Sequence, residues 1–111
     1  MCDHELVMRA CRPIPPGTPA LGGHDLEHLL HHAEGWTAVD GRIDKTFQLP
    51  DHYQVMAFVN AIAWVSHRED HHPELVVGYD TVTVRYSTHT VGGLSENDFI
   101  CAAKVDHLLA D

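Results

Sequence analysis

Three histidines and one aspartate are the residues of this 111-residue chain best suited to proton-transfer chemistry. His71 and His72 are adjacent and precede Pro73, while His89 and Asp98 follow later in the sequence. The imidazole group titrates close to neutral pH, and the chain carries 11 histidines. One imidazole can take a proton while another supplies one, and a neighbouring carboxylate can fix the tautomer of a ring. These residue types therefore predict an acid–base site.

The elements around these residues predict that they meet at one end of a sheet. Residues 74–79 and 81–87 suggest two paired strands, and the second of them alternates between apolar and polar side chains. In such a hairpin the residues before the first strand lie near those after the second, which places the two adjacent histidines beside His89. Asp98 falls in the first turn of the last helix, where helix capping alone would also explain a carboxylate. The capping and catalytic roles are compatible.

The rest of the chain predicts an α+β fold in one domain. Asp40-Gly41 lies between two extended segments, a pattern typical of a two-residue hairpin. Apolar periodicity and capping residues predict three helices, beginning near His24, after Asp51 and after Ser95. We therefore expect a four-stranded antiparallel sheet with three helices on one face, in the order αββαββα, over residues 24–111. Residues 1–23 are rich in proline and glycine, so we expect them to be irregular.

Composition narrows the classes of function. The formal net charge is −9, which disfavours direct nucleic-acid binding because the phosphate backbone would be repelled. The three cysteines form no CxxC pair, so we expect a reduced, cytoplasmic protein with no disulfide framework. The sequence has neither the apolar core of a signal peptide nor a stretch long enough to span a membrane. We expect no membrane association.

Metal binding is the competing use of the histidines. His67 and His71 are four residues apart and would face one way if their helix continued. The chain has no HExxH motif, and no cysteine lies close in sequence, so we expect no native metal site. A second group, His24, His28, His31 and His32, lies along the polar side of the first predicted helix and is interpreted as surface.

One segment of the sequence resembles a known family. Residues 67–98, HREDHHPELVVGYDTVTVRYSTHTVGGLSEND, resemble the signature of the pterin-4a-carbinolamine dehydratases. The matching positions are His67, His71, His72, Pro73, Tyr79, His89 and Asp98. The family's first signature position is often glutamate, so a carboxylate role there is not carried over to His67. The likeness extends over roughly residues 24–110, through the first hairpin and the long central helix.

The resemblance implies the reaction and the roles of the residues. It implies dehydration of a 4a-hydroxytetrahydropterin to quinonoid dihydropterin in tetrahydropterin recycling, with no cofactor and no metal. His71 and His89 would form the acid–base pair, without a decision as to which is the acid. His72 would position substrate, and Asp98 would orient a histidine. The pterin site implied by the resemblance consists of Asp70, His71, His72, Pro73, Ser87, Thr88, His89 and Thr90.

The resemblance also implies partners and an alternative function. Family members associate into dimers or tetramers, so we expect a homodimer or a homotetramer with a pterin as its small-molecule partner. Relatives of the family also serve as transcription-factor cofactors or as assembly factors for carbon-fixing enzymes. Because one fold can carry several functions, a non-enzymatic scaffold that binds a protein partner is the alternative. The intact histidines favour the enzyme.

Overall fold

A computed structural model describes residues 3–110 as four α-helices, four strands and one short 3₁₀ turn. In chain order the elements are α1 (Asp3–Val7), α2 (Gly23–His31), β1 (Thr37–Val39), β2 (Arg42–Gln48), α3 (His52–Glu69), β3 (Glu74–Val77), β4 (Thr81–Tyr86), the 3₁₀ turn (His89–Val91) and α4 (Glu96–Leu108). From α2 onward the order is αββαββα, and the predicted α+β class with a four-stranded antiparallel sheet is confirmed.

The N-terminal segment differs from the expectation. Residues 1–23 were expected to be irregular, but Asp3–Val7 form helix α1. The side chain of Leu6 is buried in the main core, so this helix packs against the domain. Five residues are too few for a periodic pattern to be recognised, and so short a helix depends on tertiary packing for its stability. Residues 1 and 2 lie outside the described part of the chain.

The sheet has the strand order β1-β2-β4-β3, and every neighbouring pair is antiparallel. Its inner face is apolar. Val82, Val84 and Tyr86 of β4 are fully buried, and the register sets Tyr86 opposite Ile43 and Val82 opposite Phe47. The outer face is polar, as shown by exposed hydrogen bonds such as that between two threonine hydroxyls of β2 and β4. The helices therefore pack on one face of the sheet, as the alternation of apolar and polar side chains in the strands predicts.

The helix ends follow their capping residues. Asp51 accepts a hydrogen bond from the backbone N–H of Gln54 at 2.8 Å and caps α3. Ser95 and Asp98 form a capping box at the start of α4. The apolar stripe of α3 is buried at four positions, and Val59 packs partly buried against the same core; the buried residues are Val55, Phe58, Ile62 and Val65. Local capping thus fixes where both helices begin.

The first hairpin has the predicted turn. Asp40 and Gly41 both have positive φ, 51° and 75°, as a type I′ turn requires. Strand β3 is shorter than expected because Gly78 donates its N–H to the carbonyl of Thr81 at 2.8 Å, closing a second turn. The two turns set the registers of β2 on β1 and of β4 on β3.

We predict that Gly41→Ala lowers the free energy of unfolding by about 1 kcal/mol, because a β-carbon is disfavoured at positive φ. A β-carbon at this position would meet its nearest atom, the α-carbon of Gly93, at an ordinary 3.6 Å, so the loss would come from the backbone. Gly41→Asn is the matched control, since asparagine tolerates the left-handed region. Urea unfolding of the three proteins measures the difference. Equal stability of the alanine and asparagine variants would contradict the argument.

Candidate active site

The end of α3 aims His71 back toward the core. Asp70 caps the helix in the left-handed conformation, with φ 52° and ψ 43°. The backbone N–H of His71 then donates to the carbonyl of Ser66 at 3.2 Å. Pro73, two residues further on, disfavours helical backbone at the residue before it, so the chain leaves the helix and enters β3. The sharp bend leaves His71 half-buried at the sheet's end.

The ring of His71 is held on two sides. Its Nε2 lies 2.6 Å from Oδ1 of Asp98, and its ring stacks on Tyr86 with centroids 5.6 Å apart and planes inclined by 8°. The side chain of His71 is 13% exposed, whereas that of Asp98 is 0% exposed. With an ionised Asp98, Nε2 must carry the proton, so a neutral ring has its lone pair on Nδ1. The contact thus selects one tautomer and fixes the ring's orientation.

Asp98 is a buried carboxylate with several donors. Its Oδ2 accepts from the hydroxyl of Thr88 at 2.9 Å and from the backbone N–H of Ser95 at 2.9 Å. The hydroxyls of Thr88 and Ser95 lie 2.6 Å apart, which permits Ser95 to donate to Thr88 and Thr88 to donate to the carboxylate. One oxygen of Asp98 therefore caps α4 while the other holds His71. The capping role and the contact with a histidine are thus compatible, as expected, and the catalytic role of Asp98 stays a prediction.

The loop after β4 positions Thr88. Its backbone pairs with Gly93 as an isolated antiparallel bridge, with a Thr88 N–H to Gly93 carbonyl distance of 2.7 Å. The 3₁₀ turn between these residues begins at His89, which is exposed, and ends at Val91, followed by Gly92 with φ 65°. The bridge fixes the position of the Thr88 hydroxyl, and His89 lies at the outer side of the same loop.

A cavity of about 490 Å³ opens beside His71. It is lined by Cys11, Arg12, Pro13, Ile14, Arg68, Glu69, Asp70, His71, Thr88, Thr90 and Asn97. The structure thus brings four of the sequence-predicted site residues into one wall: Asp70, His71, Thr88 and Thr90. The five others do not line this cavity. His72, Ser87 and His89 are exposed and Pro73 is half-buried on the flanking chain segments, and Asp98 is buried behind His71.

The N-terminal segment supplies a wall that the sequence did not indicate. The backbone N–H of Cys11 donates to the carboxylate of Glu69 at 2.8 Å. The side-chain amide of Asn97 accepts from the N–H of Arg12 at 3.1 Å and donates to its carbonyl at 2.8 Å. These contacts join residues far apart in sequence, so no local pattern could have found them. Residues 11–14 therefore belong to the candidate site.

Tyr86 is another residue that the site prediction missed. Its alternation in β4 identified it as core, and it is fully buried. Burial raises the pKa of its phenol, so the ring stacked against His71 stays neutral over the range in which histidine titrates. The only available signal was its place in the strand, two residues before Thr88.

The fold and the site define the class of protein. It is an α+β domain with a buried carboxylate–histidine pair at the edge of a cavity, an arrangement suited to proton transfer on a small molecule. Within residues 3–110 no cluster of three or more His, Cys, Asp or Glu side chains is arranged to hold a metal ion. None of the helices described is long and apolar enough to cross a bilayer.

Comparisons with known proteins identify the family. The family model described as "Pterin 4 alpha carbinolamine dehydratase" matches residues 19–108. A Nitrosomonas europaea protein, provisionally named a pterin-4-alpha-carbinolamine dehydratase, is 58% identical over 109 residues, covering 97% of this chain and 95% of its own. The chain therefore belongs to the pterin-4a-carbinolamine dehydratase family.

Solved structures agree on the fold. A structure described as a transcriptional coactivator/pterin dehydratase from Brucella melitensis superposes with a TM-score of 0.78 at 28% identity, covering 82% of this chain and 99% of its own. A pterin dehydratase-like protein described as a RuBisCO assembly factor in the alpha-carboxysome gives a TM-score of 0.58 at 25% identity, covering 68% and 88%. The same fold thus carries different described functions.

We predict that Thr88→Val destabilises the protein by about 1–3 kcal/mol, because the buried carboxylate of Asp98 loses a donor. Valine has nearly the volume of threonine, so packing is conserved. Thr88→Ser keeps the hydroxyl and is the matched control, with a smaller loss expected. Thermal and urea unfolding report the values. If both variants lose the same stability, the methyl group rather than the hydroxyl is responsible.

Proposed function

We propose that the protein catalyses the dehydration of a 4a-hydroxytetrahydropterin to quinonoid dihydropterin, by histidine acid–base catalysis and without a cofactor. The observation that carries this proposal is the contact between His71 and buried Asp98 at the edge of a cavity. Membership of the family supplies the reaction class. The reaction would serve the recycling of tetrahydropterin.

The reaction needs a base at one atom of the pterin and an acid at another. The C4a hydroxyl leaves as water while N5 loses its proton, so electrons from the N–H bond form the new C=N bond. In our proposal His71 acts as the base through Nδ1. Asp98 holds the opposite nitrogen and stabilises the imidazolium that forms. Asp98 is an orienting partner in this proposal and is not itself the base.

The other histidines act from the flanking segments. We assign His89 as the acid that protonates the leaving hydroxyl, because it follows Thr88 directly and lies on the loop beside the cavity. His72 follows His71 and is exposed, which suits a residue that positions the substrate ring. The remaining proposed contacts to the pterin come from the same two segments: Asp70, Pro73, Ser87, Thr88 and Thr90. Their backbone groups offer the hydrogen bonds that a flat heterocycle needs.

We predict that His71→Ala slows catalysed decay of freshly generated 4a-hydroxytetrahydrobiopterin by about 10²–10⁴-fold, as expected for loss of a general base.

Asp98→Asn should lower kcat more than it raises KM, because the imidazolium of His71 loses its stabilising charge. Stopped-flow absorbance measures both. His31→Ala, an exposed histidine of α2, is the matched control and should match the wild type.

Two results would count against this proposal in different ways. A well-folded wild-type protein that fails to accelerate the decay would end the enzyme hypothesis. Wild-type activity in the His71→Ala variant would keep the enzyme and move the site elsewhere. Circular dichroism of each variant separates loss of catalysis from loss of fold.

A scaffold function is the second candidate, and one surface favours it. Helix α3 exposes Tyr53, Met56 and Trp64 on one side, with Trp64 60% exposed. Exposed apolar residues at helical spacing are typical of a surface that contacts another protein. The neighbours described as a coactivator and as an assembly factor share the fold. The stopped-flow experiment decides between the two, because a scaffold alone would not accelerate dehydration.

We also propose that the protein is a homodimer or a homotetramer. Strand β3 is an edge strand, and its Val76 and Val77 are 47% and 45% exposed, which leaves an apolar edge able to pair. Light scattering should give a mass two or four times that of the chain. Val76→Lys should shift the protein toward monomer, whereas Thr83→Lys, in the interior strand β4, should not. A monomeric wild type at micromolar concentration would contradict the proposal.

A further inference from the structure

Two cysteines that lie far apart in sequence meet behind the cavity. The Sγ atoms of Cys11 and Cys101 are 3.4 Å apart, in contact but not bonded. Cys101 is fully buried in α4, whereas Cys11 is half-buried and lines the cavity that contains His71. Cys11 is therefore the member of the pair that borders the cavity, whereas Cys101 has no exposed surface.

The contact between the two sulfur atoms is held in place by hydrogen bonds on both sides. Cys11 is held by its backbone N–H on Glu69, and its Sγ lies 3.6 Å from the carbonyl of Asn97. Asn97 and Cys101 are one turn apart on α4. The side-chain amide of Asn97 also hydrogen-bonds both the backbone N–H and the backbone carbonyl of Arg12. The two backbones that carry the thiols are thus fixed relative to each other.

We propose that Cys11 and Cys101 are a thiol-oxidation site, which closes to an intramolecular disulfide when a hydroperoxide enters the cavity. The sulfur atoms need to approach by little more than 1 Å to reach bonding distance, which is about 2.05 Å for a disulfide. The bond would link residue 11 to α4 one turn beyond Asp98. It would therefore fasten the N-terminal wall of the cavity to the helix that carries the buried carboxylate.

The chemistry balances with hydrogen peroxide as the oxidant. The Cys11 sulfur attacks one peroxide oxygen, the O–O bond breaks, and a sulfenic acid and one water are formed. The Cys101 sulfur then attacks Cys11 Sγ, the S–O bond breaks, and the hydroxyl leaves as a second water with the Cys101 proton. Both sulfurs are oxidised by one electron each, and the two peroxide oxygens are reduced to water.

The two cysteines have distinct roles. Cys11 is the attacking thiol because it is the less buried member of the pair and borders the cavity. Its hydrogen-bonding contact with Cys101, together with burial, raises the pKa of the Cys101 thiol, so Cys101 stays protonated and unreactive until its partner is oxidised. The order of oxidation is therefore fixed by burial.

The test exposes the reduced full-length protein to hydrogen peroxide and counts its thiols. We expect free thiols to fall from three to one, with Cys2 remaining. Trypsin places the three cysteines in separate peptides: Cys2 in residues 1–9, Cys11 in residues 10–42 and Cys101 in residues 86–104. The second peptide is long because trypsin does not cut between Arg12 and Pro13. Mass spectrometry should find the last two joined. Tm should rise by about 5 °C or more, since the bond closes a long loop, and dithiothreitol should reverse it.

Matched variants make each outcome decisive. Cys2→Ser should oxidise like the wild type and end with no free thiol. Cys11→Ser and Cys101→Ser should each lose the linked peptides and the rise in Tm; if the buried Cys101→Ser variant fails to fold, Cys11→Ser gives the same answer. Links that involve Cys2, or Cys11 oxidised to sulfinic acid while Cys101 stays free, would overturn the proposal. No activity is measured, so the result is independent of the proposed dehydratase function.

Discussion

The buried contact between Asp98 and His71 is the interaction on which the rest of the site depends. A carboxylate with no exposed surface is costly unless it is well hydrogen-bonded, and Asp98 receives donors from His71, Thr88 and the backbone of Ser95. These donors come from the end of α3, the loop after β4 and the start of α4. The carboxylate has all of its hydrogen-bond donors only when these three segments are packed together. The site therefore forms only when the fold forms.

The sheet makes that meeting possible. Pairing of β3 with β4 brings the residues before β3 level with those after β4, and the pairing of β4 with β2 buries Tyr86. Tyr86 is thus at once a core residue and the surface on which the His71 ring stacks. A change in strand register by one residue would turn Tyr86 to the opposite face and remove that support. The geometry of the candidate site is a consequence of the register.

The family fold carries more than one described role, and the interior of this chain favours the enzyme. A protein that serves only as a scaffold gains nothing from a half-buried histidine held by a buried carboxylate, because the same volume could be filled by apolar side chains at lower cost. The exposed apolar side of α3 and the edge of β3 are separate from this network. The proposed catalytic site and the candidate contact surfaces therefore use different residues of the chain.

Local patterns in the sequence determined the element order, the type I′ turn at Asp40-Gly41 and the caps at Asp51 and Ser95, because each depends on residues close together in the chain. They also indicated His71 and Asp98, since the strand pattern predicts which ends of the sheet coincide. Only the tertiary structure showed that residues 3–7 form a helix and that residues 11–14 form a wall of the cavity. It alone showed that Cys11 touches Cys101. Those contacts join residues more than fifty positions apart, and a contact at that separation exists only once the chain between has folded.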